Sequence, residues 1–275
     1  MRQTDDPIDF KKTGISSPRF LCSDRVALSE SDHHLLARFA MACGHQNYPG
    51  VFITGTDTGV GKTLIAGALA RLLYASGVNV GVMKPIETGC SKRFGRLIPQ
   101  DACYLKKAAR VNDALELINP YRFKDPIAPW PASIREGRKI QIRKILAAYN
   151  RLKRRHSFLI VEGVGGLRVP LTKTTDVVDL IKALALPVLL VARSGLGTLN
   201  HTLLSLKEGQ AHGIQFLGII LNETQSEKTL ADQTNRSVLS QRTSLPLLGP
   251  FPYIRDFKKT DEGIELSRKR LYIGK

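Results

Sequence analysis

Short apolar runs alternate along the chain with longer stretches whose apolar positions return every third or fourth residue. The runs at 51–54, 78–84, 158–162, 188–193, 216–222 and 247–250 are rich in β-formers, and several are apolar at every position. Strands covered on both faces have that character. The periodic stretches at 62–75, 140–154, 176–184, 200–210 and roughly 229–242 predict helices between them. Alternation of this kind predicts an α/β layered fold, three layers deep, with a mainly parallel central sheet and helices on both faces. Such sheets bind ligands at the carboxyl ends of their strands. The longest apolar run, 183–192, contains Pro187 and is too short to span a bilayer, so it reads as a buried strand.

Residues 1–48 break the pattern. They hold no strand-like run, and only residues 32–43 read as helical. They are expected to form a poorly structured N-terminal extension ahead of one domain over residues 49–275. Acidic side chains argue against an organellar transit peptide, and no apolar core marks a secretory signal. The formal charge is +17 over 275 residues, yet residues 1–40 carry six basic and six acidic side chains, so the excess follows Met41. That change marks Met41 as a candidate translation start, an idea that an intact native mass beginning at Met1 would sink. A basic chain favours anionic partners. The richest stretch, 135–155, is also an amphipathic helix with Ile142, Leu146, Tyr149 and Leu152 in register, and no aromatic residues interleave with its charges. A solvated helix face explains it better than a nucleic-acid groove. Cys22, Cys43, Cys90 and Cys103 form no Cys-x-x-Cys pair, which points to reduced thiols in the cytoplasm.

The richest chemistry follows the first apolar run. Residues 55–63 read Gly-Thr-Asp-Thr-Gly-Val-Gly-Lys-Thr, a phosphate-binding loop between a strand and a helix. Glycines let backbone N–H groups turn toward phosphate oxygens, and the helix start adds its positive dipole end. Lys62 can reach the β- and γ-phosphates, and Thr63 can offer its hydroxyl to Mg²⁺. Five residues separate Gly55 from Gly61 where the usual loop has four, and Asp57 stands where the variant loop of partitioning ATPases has its signature lysine.

Further candidates close the later strands. Lys84, in Met83-Lys84-Pro85-Ile86-Glu87-Thr88-Gly89, can point into the same crevice and hold a second anion beside the γ-phosphate, though a surface lysine at a strand end fits its spacing equally well. Glu162 ends a very apolar strand before Gly163, Val164 and Gly165, where phosphate-loop proteins place an acidic residue near the metal. Asp101 opens a helical stretch and is either a ligand or a helix cap. Mg²⁺ takes oxygen ligands and keeps several waters, so Thr63, Asp101, Glu162 and phosphate oxygens suffice. The turn 193–201 contains Gly197, Thr198, Leu199 and Asn200, whose N–H groups can take a carboxylate, as an ordinary strand-to-helix turn also would look. Asn222-Glu223 offers an amide suited to an adenine edge, and Pro252, Tyr253 and Ile254 follow a stiff segment that can wall a base.

The ordered set resembles the dethiobiotin synthetase family over residues 51–254. It is carried by Thr54-Gly55-Thr56-Asp57-Thr58 with Val60-Gly61-Lys62-Thr63, by Lys84-Pro85 with Thr88-Gly89, and by Asn119-Pro120-Tyr121 with Pro126 and Ala128-Pro129. Val161-Glu162-Gly163 with Gly165-Gly166, Pro170-Leu171 and Gly197-Thr198-Leu199-Asn200-His201-Thr202 complete it. The resemblance implies closure of a ureido ring on 7,8-diaminopelargonic acid, using CO2 (or bicarbonate) and ATP with Mg²⁺. It implies that Lys84 and Lys62 are catalytic and that Thr63, Asp101 and Glu162 hold the metal. Gly59, Val60, Gly61, Lys62, Thr63, Leu64, Asp101, Glu162, Gly163, Val164, Gly165, Asn222, Glu223, Pro252, Tyr253 and Ile254 are then nucleotide contacts. Thr88 is a substrate contact. Gly197, Thr198, Leu199 and Asn200 hold the substrate carboxylate across a homodimer interface. From this reading, Lys84→Ala is expected to abolish turnover and spare the fold. Many family members have Glu at Gly59 and His at Trp130, and residues before Val51 fall outside the family pattern. Two alternatives share the loop: an amide-forming ligase such as the cobyrinic acid amidating enzymes, whose nucleophilic Cys has no counterpart beyond Cys103, and a positioning ATPase, which lacks its lysine here.

Overall fold

The structure is a computed structural model that describes residues 48–255. The helix expected over residues 32–43, the candidate start at Met41 and the thiols of Cys22 and Cys43 lie outside the described residues. In chain order the elements are β1 (Gly50–Gly55), α1 (Lys62–Ala75), β2 (Val80–Met83), β3 (Ile86–Glu87), β4 (Ser91–Arg93), β5 (Arg96–Ile98), α2 (Gln100–Ala109), α3 (Leu115–Ile118), β6 (Tyr121–Arg122), α4 (Pro129–Arg135), α5 (Ile142–Lys153), β7 (Phe158–Glu162), α6 (Val177–Leu184), β8 (Val188–Arg193), α7 (Thr198–Ala211), β9 (Phe216–Asn222), α8 (Leu230–Arg242) and β10 (Leu247–Phe251).

Six strands form one parallel sheet in the order β10–β9–β8–β1–β7–β2. Side chains alternate across it as the two-residue period demands. Val51 and Ile53 of β1, Ile160 of β7 and Leu189 and Val191 of β8 pack with the buried residues of α1 and α2. Their neighbours Phe52, Leu159, Val161, Leu190 and Ala192 pack with α5, α6 and Leu206 of α7 on the other face. Both faces are covered, which is why these strands read as unbroken apolar runs. Each fully buried Leu, Ile or Phe contributes about 1.5–3 kcal/mol.

Because the strands are parallel, their carboxyl ends share one edge. The register pairs Ile53 with Glu162 and Met83 with Val161. Glu162 therefore lies beside the end of β1, and Lys84, one residue past β2, lies beside β7. From β1 the chain goes on to the β2 edge, whereas from the neighbouring β8 it goes on to the β10 edge, and in open α/β sheets a crevice forms where connections diverge in this way.

The helix over 140–154 is present as α5, but its buried face is Ile145, Ala148, Tyr149 and Leu152, with Ile142 and Leu146 only partly covered. Arg143, Lys144, Arg151 and Lys153 are exposed, as expected of a solvated basic face. β2 starts at Val80 because the Val78 N–H instead closes the end of α1, donating to Leu73 O at 3.0 Å. The β4–β5 hairpin, the β3–β6 pair, α3 and α4 are too short to carry a periodic signal. Among the described residues no helix is long and apolar enough to cross a membrane.

Candidate active site

The loop after β1 turns into α1 through Gly61, whose φ of 99° lies in the left-handed region. A side chain there would meet more than strain, since a Cβ on Gly61 would sit 2.2 Å from Asn222 Nδ2. Asn222, at the end of β9, donates from that nitrogen to Val60 O at 3.1 Å. Lys62 and Thr63 open α1 and are both buried. Lys62 Nζ donates to Asp57 O at 2.8 Å. Asp57 is itself held, because Oδ1 accepts from Thr58 N at 2.7 Å and Oδ2 pairs with Arg193 Nη2 at 2.9 Å. Burial first, and then the nearby Lys84 charge, lower the Lys62 ammonium to about 8, against the pull of Glu162, Asp101 and Asp57.

Lys84 is buried in the same cluster. Its Nζ donates to Glu162 Oε1 at 2.6 Å and to Gly163 O at 3.1 Å, and it stands 3.3 Å from Asp101 Oδ2. Thr63 Oγ1 donates to the same Glu162 oxygen at 2.7 Å. Burial pulls the Lys84 pKa down, but Glu162 and Asp101 more than reverse it, so this ammonium stays charged. Burial raises the Glu162 carboxyl, with Lys84 and Thr63 acting against it. The two ammonium groups thus share one crevice and the same carboxylates.

The donor set suits a hard divalent cation. Glu162 Oε2 is buried with no hydrogen-bond partner, beside a hydroxyl and a second carboxylate. All these atoms are oxygens, which Mg²⁺ prefers. Among the described residues no three His, Cys, Asp or Glu side chains form a ready metal cluster. A cation here would therefore take phosphate oxygens as well.

Two supports had no role assigned to them from the sequence. Asn119 Nδ2 donates to Lys84 O at 2.7 Å and to Tyr121 O at 3.1 Å, and the Lys84 N–H donates to Ile118 O at 2.8 Å. The backbone that presents Lys84 is thereby pinned on both sides. Asp101 is not a cap. It lies at the second position of α2, whose N-cap is Pro99, and its own N–H is taken by Glu87 Oε1 at 2.9 Å. Glu87 Oε2 accepts from Ala102 N at 3.0 Å. Burial first, and then Asp101, raise the Glu87 carboxyl to about 7, against Lys84 and the two N–H donors. The sequence holds a clue: a proline directly before Gln100-Asp101 offers no capping oxygen from its side chain, so the helix start needs an acceptor from elsewhere.

The remaining expected residues line the same sheet edge at different distances. Gly163, Val164 and Gly165 follow Glu162, and the Gly163 N–H donates to Ile53 O at 2.9 Å. Gly59 is exposed on the loop, Val60 and Leu64 are buried beneath it, and Thr88 is half-buried after Glu87. The Asn222 carbonyl oxygen Oδ1 is buried without a partner, while Glu223 pairs with Lys228 at 2.9 Å. Pro252, Tyr253 and Ile254 are half-buried just past β10, beside that strand end. The turn of Gly197, Thr198, Leu199 and Asn200 stands further along the edge. The Thr198 N–H donates to Gly195 O at 3.3 Å and the His201 N–H to Gly197 O at 3.1 Å, while Asn235 Nδ2 of α8 holds the preceding Ser194 O and Gly195 O at 2.8 and 3.0 Å.

Residues 49–261 match a family described as an AAA domain. The ATP-dependent dethiobiotin synthetase BioD of Thermodesulfovibrio yellowstonii is 43% identical over 222 residues, 78% of this chain and 92% of that protein. The protein of the same name from Bacillus licheniformis is 41% identical over 77% of this chain and 88% of its own length. That from Bacillus subtilis is 38% identical over 76% and 90%.

Proposed function

The chain belongs to the ATP-dependent dethiobiotin synthetase family, and from that premise we propose that it joins CO2 to 7,8-diaminopelargonic acid at the expense of ATP, yielding dethiobiotin. One amine adds to CO2 and loses a proton, giving a carbamate. A carbamate oxygen attacks the γ-phosphorus, and the bond to the ADP oxygen breaks. The second amine then attacks the carbonyl carbon of the mixed anhydride. Phosphate leaves, a proton is lost and the ureido ring closes.

The observation that carries this reading is the buried Lys84 ammonium, held 2.6 Å from Glu162 and 3.3 Å from Asp101 beside the phosphate-loop lysine. A carbamate next to a triphosphate gathers anionic oxygens in one place, and fixed cations in a dry site stabilise that charge without reorganising. In this assignment Lys62 draws the β- and γ-phosphates into the loop, a phosphate oxygen replacing Asp57 O as its partner. Lys84 holds the carbamate oxygen and the charge that develops on transfer. Thr63, Asp101 and Glu162 would hold Mg²⁺, which would supply Lewis-acid charge for phosphoryl transfer. Asn222, whose amide N–H is already committed to Val60 O, has its carbonyl oxygen left to accept from adenine. Glu223 and the segment Pro252, Tyr253 and Ile254 frame the base. Thr88 contacts the diamine. The catalytic unit begins at residue 49, and its use of ATP suits the cytoplasm.

A homodimer completes the site. Leu196, just before the Gly197 turn, and Leu204 of α7 are 88% and 58% exposed, apolar side chains that a second copy of the chain would cover. A partner's Gly197–Asn200 turn would then offer N–H groups to the substrate carboxylate. The test is incubation with the diamine, bicarbonate, Mg²⁺ and ATP, followed by mass detection. The expected result is dethiobiotin with one ADP formed per ring. ATP hydrolysis that ignores the diamine would overturn the assignment.

A further inference from the structure

Glu87 is 5% exposed and spends both carboxylate oxygens on one task. They accept the N–H groups of Asp101 and Ala102, the second and third positions of α2, at 2.9 and 3.0 Å. These are two of the orphan donors at any helix start, normally served by an N-cap Ser, Thr, Asp or Asn. Here the N-cap is Pro99, which makes no side-chain cap bond. The cap instead comes from β3, a strand held by its parallel pairing with β6 and by Phe123 N donating to Glu87 O at 2.9 Å. The Asp101 backbone is therefore clamped from outside its own helix, and its carboxylate meets Lys84 at 3.3 Å. A second constraint acts on α2. A Cβ on Gly67 of α1 would fall 2.2 Å from the Tyr104 ring, so α2 lies hard against the helix that begins with Lys62 and Thr63.

We propose that Glu87 is a positioning residue for the divalent cation: by capping α2 from a neighbouring strand, it holds the Asp101 carboxylate where Glu162 and Thr63 can share a metal with it. The proposal rests on the metal set assigned under the proposed function. Glu87 does not itself ligate the cation, since both its oxygens are committed to backbone donors.

The experiment compares the wild type with Glu87→Ala, Glu87→Gln and the double variant Glu87→Ala/Pro99→Asp. The last installs a local cap, for which Pro99 already has extended backbone (φ −79°, ψ 97°). Mn²⁺ affinity is measured by electron paramagnetic resonance in the presence of ADP, alongside the Mg²⁺ dependence of dethiobiotin formation. Glu87→Ala is expected to weaken Mn²⁺ binding and raise the Mg²⁺ requirement about tenfold, the equivalent of roughly 1.4 kcal/mol. Glu87→Gln, which keeps one acceptor and loses the other, should fall between, and it remains informative if the alanine variant does not fold. Pro99→Asp should recover most of the lost affinity. Unchanged Mn²⁺ affinity in both single variants overturns the proposal, and so does a folded double variant with no recovery. A wild type that binds Mn²⁺ with ADP but makes no dethiobiotin refutes the proposed function and leaves the Glu87 result standing.

Discussion

Replacing Lys84 by alanine removes the ammonium that bridges Glu162 Oε1 and Asp101 Oδ2. At 2.6 Å and an effective dielectric of about 20, the gross attraction to Glu162 is about 6 kcal/mol. Desolvation of both groups offsets most of it, so the intact pair is worth little net, but breaking it strands a buried carboxylate. Such a break costs about 3–5 kcal/mol. Because the pair is buried, Lys84→Ala is expected to lower stability as well as turnover. Glu162→Gln removes the charge and keeps an oxygen for Thr63 and Lys84. The double variant Lys84→Ala/Glu162→Gln should then be more stable than the sum of its parts, with a coupling of about 3 kcal/mol. Urea unfolding at pH 7 without nucleotide, followed by the fluorescence of Trp130 and by circular dichroism, measures all four corners. Turnover should fall by about 10²-fold or more in both single variants. If the two substitutions add to within about 0.5 kcal/mol, the ion pair does not organise the site and the argument fails.

Gly61→Ala puts a Cβ against Asn222 and strains a left-handed backbone by about 1–2 kcal/mol. ADP affinity by calorimetry should drop at least tenfold, and wild-type affinity would show that the loop has room to spare. Away from the site, burial raises the Asp113 carboxyl, but hydrogen bonds from Arg155 and His156 outweigh it and hold the group below its ordinary 3.8. A depressed carboxylate contributes stability above its unfolded value and loses it as pH falls through the folded one. Asp113→Asn should therefore be less stable than wild type at neutral pH by an amount that shrinks below pH 3.8. Urea midpoints across the acid range measure it, and a gap that stays constant to the lowest pH would contradict the assignment.

Much of the site could be read before any coordinates. The loop Gly55–Thr63 is contiguous, so its chemistry is written in one stretch of chain. Glu162 and Lys84 were visible as charged residues closing apolar runs, and a parallel sheet must gather such ends on one edge. Asp101 was ambiguous because a helix-opening aspartate serves equally as cap or ligand. Its placement one residue inside α2, with Pro99 as N-cap, decided the matter against the cap. Short pieces such as the β4–β5 hairpin were invisible for want of a period.

Order along the chain, the covered parallel strands and the phosphate loop follow from local pattern alone, since each depends on neighbours a few residues apart. Contacts across the sheet belong to the tertiary structure. Thr63 and Lys84 meeting on one Glu162 oxygen, Asn222 closing over Val60, and Asp57 pairing with Arg193 join residues far apart in the chain. Their geometry depends on strand register and helix packing, where a one-residue slip would turn each side chain to the opposite face. Glu87 shows the difference most sharply: a glutamate in a strand becomes the cap of a distant helix only when the fold brings that helix's bare N–H groups to its carboxylate.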